Sequence, residues 1–229
     1  MKNILGIIPA RQGSKRMPGK NKKLLNGKPL ITYSFASAKE SLLLNKIIVS
    51  TNDLDIISIA EEHGIEVPFV RPEKYADDYA TDFDWIKHAV YELENTGSII
   101  DYIVILRPTC PLRTAKDIDN AITTICKIGT DSVRSLTKVK HHPYWMKKIT
   151  NELAVPYLEL DNAEEKIRSQ DLPPLYYING MVDIISKNNI TNNHLYGKKM
   201  GYILIDEKRT VDIDTPADFE YCKYLLTRL

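Results

Sequence analysis

Residues 4–23 read ILGIIPARQGSKRMPGKNKK, and the rest of the chain is organised around them. Ile4, Leu5, Gly6, Ile7 and Ile8 form an apolar run, the pattern of a strand buried on both faces of a parallel sheet. Pro9 removes a backbone donor and ends the ladder. The loop beyond it carries Arg11, Lys15, Arg16, Lys20, Lys22 and Lys23, two glycines and no acidic residue. A cationic loop leaving the carboxyl end of a first strand sits where open α/β sheets bind ligands. Its glycines let backbone N–H groups approach an anion. The loop is therefore read as a polyphosphate clamp, against the alternative of a solvated basic turn. It is not a P-loop, because the order is Gly13-Ser14-Lys15 and Pro18-Gly19 forbids an immediate helix. Nor does it contain the G-x-G-x-x-G of a dinucleotide site.

The chain has 229 residues, read as one domain spanning 1–229. With 43% hydrophobic and 27% charged residues it is an ordinary globular sequence able to bury a sizeable core. A formal net charge of +1 argues against a nucleic-acid coat or a membrane-surface role. Positive charge is local instead, in 11–23 and 138–148. Cys110, Cys126 and Cys222 form no CxxC and read as reduced thiols in a cytoplasmic protein. Pro9 and Arg11 interrupt the only N-terminal apolar run, so no signal peptide is expected, and no stretch approaches a membrane span. No nucleic-acid or membrane partner is expected.

Helix and strand signals alternate through the first 140 residues. Residues 29–39 read as a helix with Leu30, Tyr33, Phe35, Ala36 and Ala38 inward, and 46–51 as a buried strand. Asn52-Asp53 can cap a helix to about His63, with Gly64 closing it. Residues 65–71 suit a short strand near an edge, since Pro68 cannot donate. Thr81 or Asp82 caps a helix to about Glu94, with Trp85, Ile86, Ala89, Val90 and Leu93 on one stripe. A strand over 102–106, a helix over 117–128 closed by Gly129, and a strand over 132–136 follow. This is an α/β chain, a Rossmann-like, mostly parallel sheet flanked by helices. From 141 to 195 the alternation breaks into prolines, tyrosines and hairpin-like pieces, read as an inserted arm or lid at an interface. It resumes with a strand over 200–205 and a last helix with Thr215 as N-cap, Pro216 at N1 and Asp218 at N3.

Three further clusters carry chemistry. In 211–215, VDIDT, Asp212 and Asp214 stand at i and i+2, so in extended chain their carboxylates point the same way. Such oxygens suit Mg²⁺ (Mn²⁺ is the second candidate) shared with substrate phosphates, while the alternative is a helix cap beside a solvated carboxylate. In 107–113, RPTCPLR, two prolines stiffen a loop leaving the most apolar strand, and its arginines can pair with carboxylate or phosphate. Cys110 has no base near it in sequence and reads as a buried thiol rather than a nucleophile. His141 and His142 face opposite sides of extended chain, so a shared metal is disfavoured. One of them is read as a hydrogen-bonding group near substrate, with a structural role left open.

These segments together resemble the cytidylyltransferases that activate acidic nine-carbon sugars, the CMP-N-acylneuraminate (sialic acid type) synthetase family. The resemblance rests, in order, on IIPARQGSKRMPGKN at 7–21, IIVSTND at 47–53, RPEKYA at 71–76, RPTCPLR at 107–113, HHP at 141–143, RSQDLPPLYYING at 168–180 and VDIDTPADF at 211–219. It implies a nucleotide-diphospho-sugar transferase type of fold with a mid-chain dimerisation arm. The implied reaction joins CTP and a 2-keto-3-deoxy sugar acid into CMP-sugar and pyrophosphate, and the implied assembly is a homodimer. Arg11, Lys20, Asp212 and Asp214 would be catalytic, the two aspartates as Mg²⁺ ligands. Nucleotide contacts would come from Ala10, Arg11, Gly13, Ser14, Lys20, Asn21, Arg71, Thr81 and Asp82. The sugar wall would come from Arg107, His141, His142, Arg168, Gln170, Tyr177, Asn179 and Asp183. Three positions depart from the family pattern, all on the sugar side: Arg107 where glutamine is usual, Arg168-Ser169 where paired arginines are common, and Asp183 in place of an aromatic. The expected sugar is therefore a legionaminate-like, pseudaminate-like or other acidic relative rather than sialic acid itself. The alternatives are a related nucleotidyltransferase with another nucleotide or keto-sugar acid, and a non-catalytic nucleotide-binding protein. A Rossmann oxidoreductase is argued against by the missing fingerprint.

Overall fold

Strand β1 (Ile4–Ala10) lies between two parallel partners, β4 (Lys46–Thr51) and β5 (Tyr102–Ile105), with Ile7 opposite both Ile48 and Ile105. The structure, a computed structural model, describes residues 2–158 and 168–228. The early hairpin is β2 (Leu24–Leu25) with β3 (Lys28–Pro29), and the later one β7 (Lys147–Thr150) with β8 (Leu153–Pro156). The main sheet adds β6 (Ser132–Lys138), β9 (Tyr176–Ser186) and β10 (Met200–Leu204), in the order β10-β6-β9-β5-β1-β4. β9 runs antiparallel to both its neighbours, and the other pairings are parallel.

The strand period of two sorts β1 between two cores. Ile4, Ile8 and Ala10 pack with Phe35, Ile56, Ala60, Ile118 and Ile122. These come from α1 (Leu30–Lys39), α2 (Leu54–Glu62) and α4 (Ala115–Ile128). Leu5 and Ile7 face Trp85, Ile86, Val90 and Leu93 of α3 (Asp82–Asn95) on the other side. A third cluster joins Met17 of the basic loop and Leu112 to Val211, Ile213 and Phe219. It ties the first loop to the last helix, α6 (Pro216–Leu226), and so sets the site.

Helix starts follow their capping chemistry. Thr81 with Asp84, Thr114 with Asp117, and Thr215 with Asp218 each form a reciprocal capping box, a device worth about 1 kcal/mol. Asp53 caps α2 by accepting from the Asp55 N–H. α4 starts at Ala115, two residues before the sequence expectation, because Thr114 satisfies its first turn.

Three local expectations change. In α1 Leu30, Phe35 and Ala38 are buried as expected, joined by Ile31, Thr32, Ser34 and Ser37, while Tyr33 is half-buried and Ala36 exposed. Ser34 goes inward because its hydroxyl accepts from Arg113 Nη2 at 2.5 Å. Residues 65–71 make two isolated parallel bridges to β4, at Glu66 and Val70, rather than a continuous strand, with Pro68 between them. Within 141–195, the β7–β8 hairpin stands apart from the main sheet, whereas β9 is one of its interior strands and the short helix α5 (Lys187–Thr191) follows it. Alternation fails at β9 because an antiparallel strand needs no crossover helix before it.

Candidate active site

The basic loop leaves β1 in a cradle of backbone and carboxylate contacts. Arg11 Nη1 donates to the Asp77 carbonyl at 2.6 Å and to the Ala76 carbonyl at 3.3 Å, and its Nη2 lies 3.0 Å from Asp78 Oδ1. Lys15 Nζ meets the other oxygen of Asp78 at 2.5 Å. The Lys15 hydrogen bond, helped by Arg11, holds the Asp78 carboxyl below the usual carboxylate range. Gly13 and Gly19 turn the loop with φ of +88° and +66°. A Cβ at either would meet nothing within 4 Å, so the requirement is backbone conformation, not space. Lys22 is anchored elsewhere, on Asp55 at 2.6 Å and Asp53 at 3.1 Å, and Lys23 lies over the Phe219 ring. Those two cations fix the loop, and of its remaining cations Arg11 and Lys20 line the cavities beside it.

A cavity of about 300 Å³ opens beside this loop, lined there by Arg11, Ser14, Lys20 and Asn21. A second recess of about 240 Å³ lies within the loop itself, framed by Gly13, Ser14, Gly19 and Lys20. Ala10 is buried at the end of β1, where its carbonyl accepts from the Thr51 hydroxyl. The opposite wall of the first cavity contains Arg71, Asp82, Trp85 and Arg107. Arg71 is 3% exposed, donates from Nε and Nη2 to Ser50, and stacks over Trp85 at 5.1 Å. Burial pulls its guanidinium down to about 10, so it stays charged at neutral pH. Thr81 is committed to its capping box, which presents Asp82 at the first turn of α3 on the cavity edge.

The last motif meets the first. Lys20 Nζ donates to the Ile213 carbonyl at 2.6 Å and to Asp214 Oδ1 at 3.1 Å, while Arg16 reaches Asp214 Oδ2 at 3.1 Å. Val211 and Ile213 are buried in the third core, and the Ile213 N–H donates to the Thr109 carbonyl. Asp212 is exposed and has no hydrogen-bond or ion-pair partner among the described residues. Two carboxylates without a third suit Mg²⁺, which fills its remaining positions with phosphate oxygens and water. No cluster of three or more metal-ligating side chains occurs among the described residues.

Arg107 forms the far end of the cavity. Its Nη2 lies 2.6 Å from Asp82 Oδ2 and its Nη1 2.7 Å from Asp183 Oδ2. Asp183 is fully buried and is gripped again by Arg134, Nε at 2.9 Å and Nη2 at 3.1 Å. The Arg134 guanidinium in turn lies 3.9 Å from the centre of the Tyr196 ring. Burial opposes ionisation of Asp183, yet Arg107 and Arg134 outweigh it and keep the carboxyl below its ordinary range. Burial likewise opposes the Arg107 charge, which Asp183 and Asp82 raise in compensation. The sequence departures at 107 and 183 are thus partners in one ion pair, and Asp183 spends its carboxylate on arginines rather than on the cavity.

The other expected sugar-side residues are scattered. Asn179 is 5% exposed and inward: its amide nitrogen donates to Thr137, and its carbonyl oxygen accepts from Ser135 and the Met181 N–H. It braces the irregularity between β6 and β9. His142 is buried with Nδ1 accepting from the Tyr144 N–H, and its Nε2 has no hydrogen-bond partner among the described residues; His141 is exposed. Arg168 pairs with Asp171 on an exposed turn that also carries Gln170, and Tyr177 is half exposed on β9. In the 107–113 loop, Arg113 does not face the site. It is 4% exposed and donates to the carbonyls of Arg107 and Met181, stapling the loop to β9. Cys110 is 1% exposed and burial pushes its thiol up to about 12, which fits a packing role.

Sequence reasoning missed Asp77, Asp78, Trp85, Arg134 and Tyr196. A charged Arg134 within the strand signal of β6 was the one available hint. The remainder depend on tertiary pairing.

A cationic loop and a stacked arginine lining a cavity at the carboxyl ends of parallel strands, with Asp214 on the cavity's Lys20, are the features of a nucleotidyltransferase class of site. A solved CMP:2-keto-3-deoxy-manno-octonic acid synthetase complexed with CTP superposes with a TM-score of 0.75 at 17% identity, covering 99% of both chains, which establishes the fold. The cytidylyltransferase family profile spans residues 5–228, and the chain belongs to that family. It is 32% identical over 225 residues to the CMP-N,N'-diacetyllegionaminic acid synthase of Legionella pneumophila, covering 97% of this chain and 96% of that one. It is likewise 32% identical over 226 residues to a pseudaminic acid cytidylyltransferase of Campylobacter jejuni, covering 98% and 96%.

Proposed function

We propose that the chain transfers CMP from CTP to the anomeric hydroxyl of an acidic 2-keto-3-deoxy nine-carbon sugar, releasing pyrophosphate. The observation that supports this reading is the Lys20–Asp214 contact, which joins a cation of the first loop to a carboxylate of the last motif. The anomeric oxygen attacks the α-phosphorus, the bond to the bridging β-phosphate oxygen breaks, and pyrophosphate leaves with the electron pair. Arg11, Lys20 and the N–H groups around Gly13 and Ser14 neutralise charge building on the leaving phosphates. Arg71, stacked on Trp85, and the Thr81–Asp82 turn hold the cytidine, and Asn21 orients the triphosphate. Asp212 and Asp214 would hold Mg²⁺, which when bound neutralises the phosphates and polarises the α-phosphoryl group. Asp212, which has no hydrogen-bond or ion-pair partner among the described residues, is the carboxylate placed to accept the proton of the attacking hydroxyl.

The sugar is a legionaminate-like, pseudaminate-like or other acidic relative rather than sialic acid, a reading supported by the departures at 107 and 183, which form an ion pair with Arg107 on the cavity. The active unit is a homodimer. The hairpin segment exposes Trp145, Ile149, Leu153 and Tyr157, an apolar surface suited to a second copy. The three unpaired thiols suit a reducing cytoplasm, and among the described residues no helix is long and apolar enough to cross a membrane.

The test is pyrophosphate release with CTP and Mg²⁺ across a panel of nine-carbon sugar acids. Turnover with CTP and a legionaminate- or pseudaminate-type acid is expected, with UTP, ATP and GTP poor. Equal or better turnover with sialic acid would refute the specificity reading, and no release with any acid would refute the reaction.

A further inference from the structure

We propose that Asp183 is a positioning residue for substrate selection: with Arg134 it fixes Arg107, whose outward nitrogen takes an anionic group of the substrate in place of Asp82. The inference rests on the reaction proposed above. Strand register creates the arrangement. In β9, Asp183 stands opposite Ile105 on one side and Arg134 on the other, and Arg107 follows Ile105 by two residues. The pairing therefore brings three residues distant in sequence to one face of the sheet. Tyr196 closes the cluster, its hydroxyl donating to Asp183 Oδ2 at 3.4 Å.

The charges do not balance without a fourth group. Two guanidiniums and one buried carboxylate leave one positive charge unmatched. In this structure Asp82 matches it, through the single contact to Arg107 Nη2. The two aspartates are not equivalent. The Asp183 side chain is 0% exposed and accepts from two arginines, whereas that of Asp82 is 39% exposed on the cavity edge. Parting Arg107 from Asp82 costs little, since Asp82 is partly in water and its other oxygen keeps the Trp85 indole N–H at 3.0 Å, while releasing Asp183 leaves charges buried without partners. Arg107 also lines the cavity, so an incoming carboxylate reaches it from the open side. The planar fork gives that contact both charge and direction, which a neutral side chain would not.

The experiment measures steady-state KM for CTP and for the best acid of the panel in wild type, Asp183→Asn, Arg107→Gln and the double variant. The expected result is a rise in sugar KM of about tenfold or more in each single variant, as for loss of one charge-assisted hydrogen bond. The KM for CTP stays within about twofold, and the double variant matches Arg107→Gln alone, because Asp183 acts through Arg107. An Asp183→Asn chain that melts earlier with unchanged sugar KM, or single effects that multiply in the double variant, would overturn the inference. Should Asp183→Asn fail to fold, Arg107→Gln carries the test, since it leaves Asp183 its bonds from Arg134. An unchanged sugar KM there also overturns it. Absence of wild-type turnover with any acid would instead remove the proposed reaction and the inference together.

Discussion

Lys20 Nζ lies 3.1 Å from Asp214 Oδ1, a contact between residues 194 apart in sequence. Around it the first loop and the last motif of the chain become one site. Met17, Ile213 and Phe219 pack beneath, so the pairing is built on a core and not on two solvated side chains.

Asp214→Asn should therefore separate chemistry from folding. Asp214 is partly exposed and its ion pairs add little stability, while Asp218 still caps α6. The expected outcome is a fall in turnover of about 10²–10³-fold, by analogy with losing one preorganised electrostatic group. Thermal melting should shift by no more than about 4 °C. Pyrophosphate release and a melting curve on the same sample check both.

Gly13→Ala tests the loop backbone. Nothing would touch the added methyl, so any effect comes from holding alanine at φ +88°. The exposed loop relaxes in the free protein to relieve about 1–2 kcal/mol of strain, so melting should stay nearly unchanged, and re-forming it around CTP should raise the KM by about tenfold. Isothermal titration with CTP gives the same comparison without turnover.

Thiol chemistry should sort the three cysteines. Burial pushes Cys110 up to about 12 and Cys222 up to about 11, whereas Cys126 is exposed. Alkylation of the native protein near neutral pH should label Cys126 alone, with full activity kept. Peptide mass mapping reads the sites, and rapid labelling of Cys110 in the folded protein would contradict its packing role.

Acid should weaken the fold through Asp117 and Asp183. Burial opposes ionisation at both. Arg209 and Thr114 overcome it for Asp117, Arg107 and Arg134 for Asp183, and both carboxyls sit below their ordinary range. Depressed folded values mean stability that is full above the ordinary carboxylate pKa and is lost as pH falls through the folded values. Urea midpoints should hold steady between about pH 7 and pH 5 and drop below about pH 4. Arg209→Gln should shrink the Asp117 share of that drop, leaving the part that Thr114 supports.

Much of the fold is legible locally. The apolar run of β1, the strand over 46–51, and the Thr81 and Thr215 caps each follow from residues within a few positions of one another. β9 is not legible in the same way. Its run YYINGMVDIIS carries Asn179 and Asp183, polar groups that look like loop chemistry until Ser135, Thr137, Arg107 and Arg134 supply their partners. Ser34 and Ser37 mislead about α1 for the same reason, since hydroxyls that find buried partners shift the inward face. In the site, the loop cations and the aspartate pair can be read as motifs. Which cations are spent on structure cannot, because Lys22 is claimed by Asp53 and Asp55, whose side chains reach it only in the folded chain.

The most direct test of the central claim follows the anomeric oxygen. A legionaminate- or pseudaminate-type acid carrying heavy oxygen at the anomeric hydroxyl is incubated with CTP and Mg²⁺, and the products are weighed by mass spectrometry. The account predicts a CMP-sugar that retains the label in its phosphoester bridge, with unlabelled pyrophosphate in equal amount. Release of CMP and pyrophosphate without a sugar ester, or an ester that lacks the label, would contradict it.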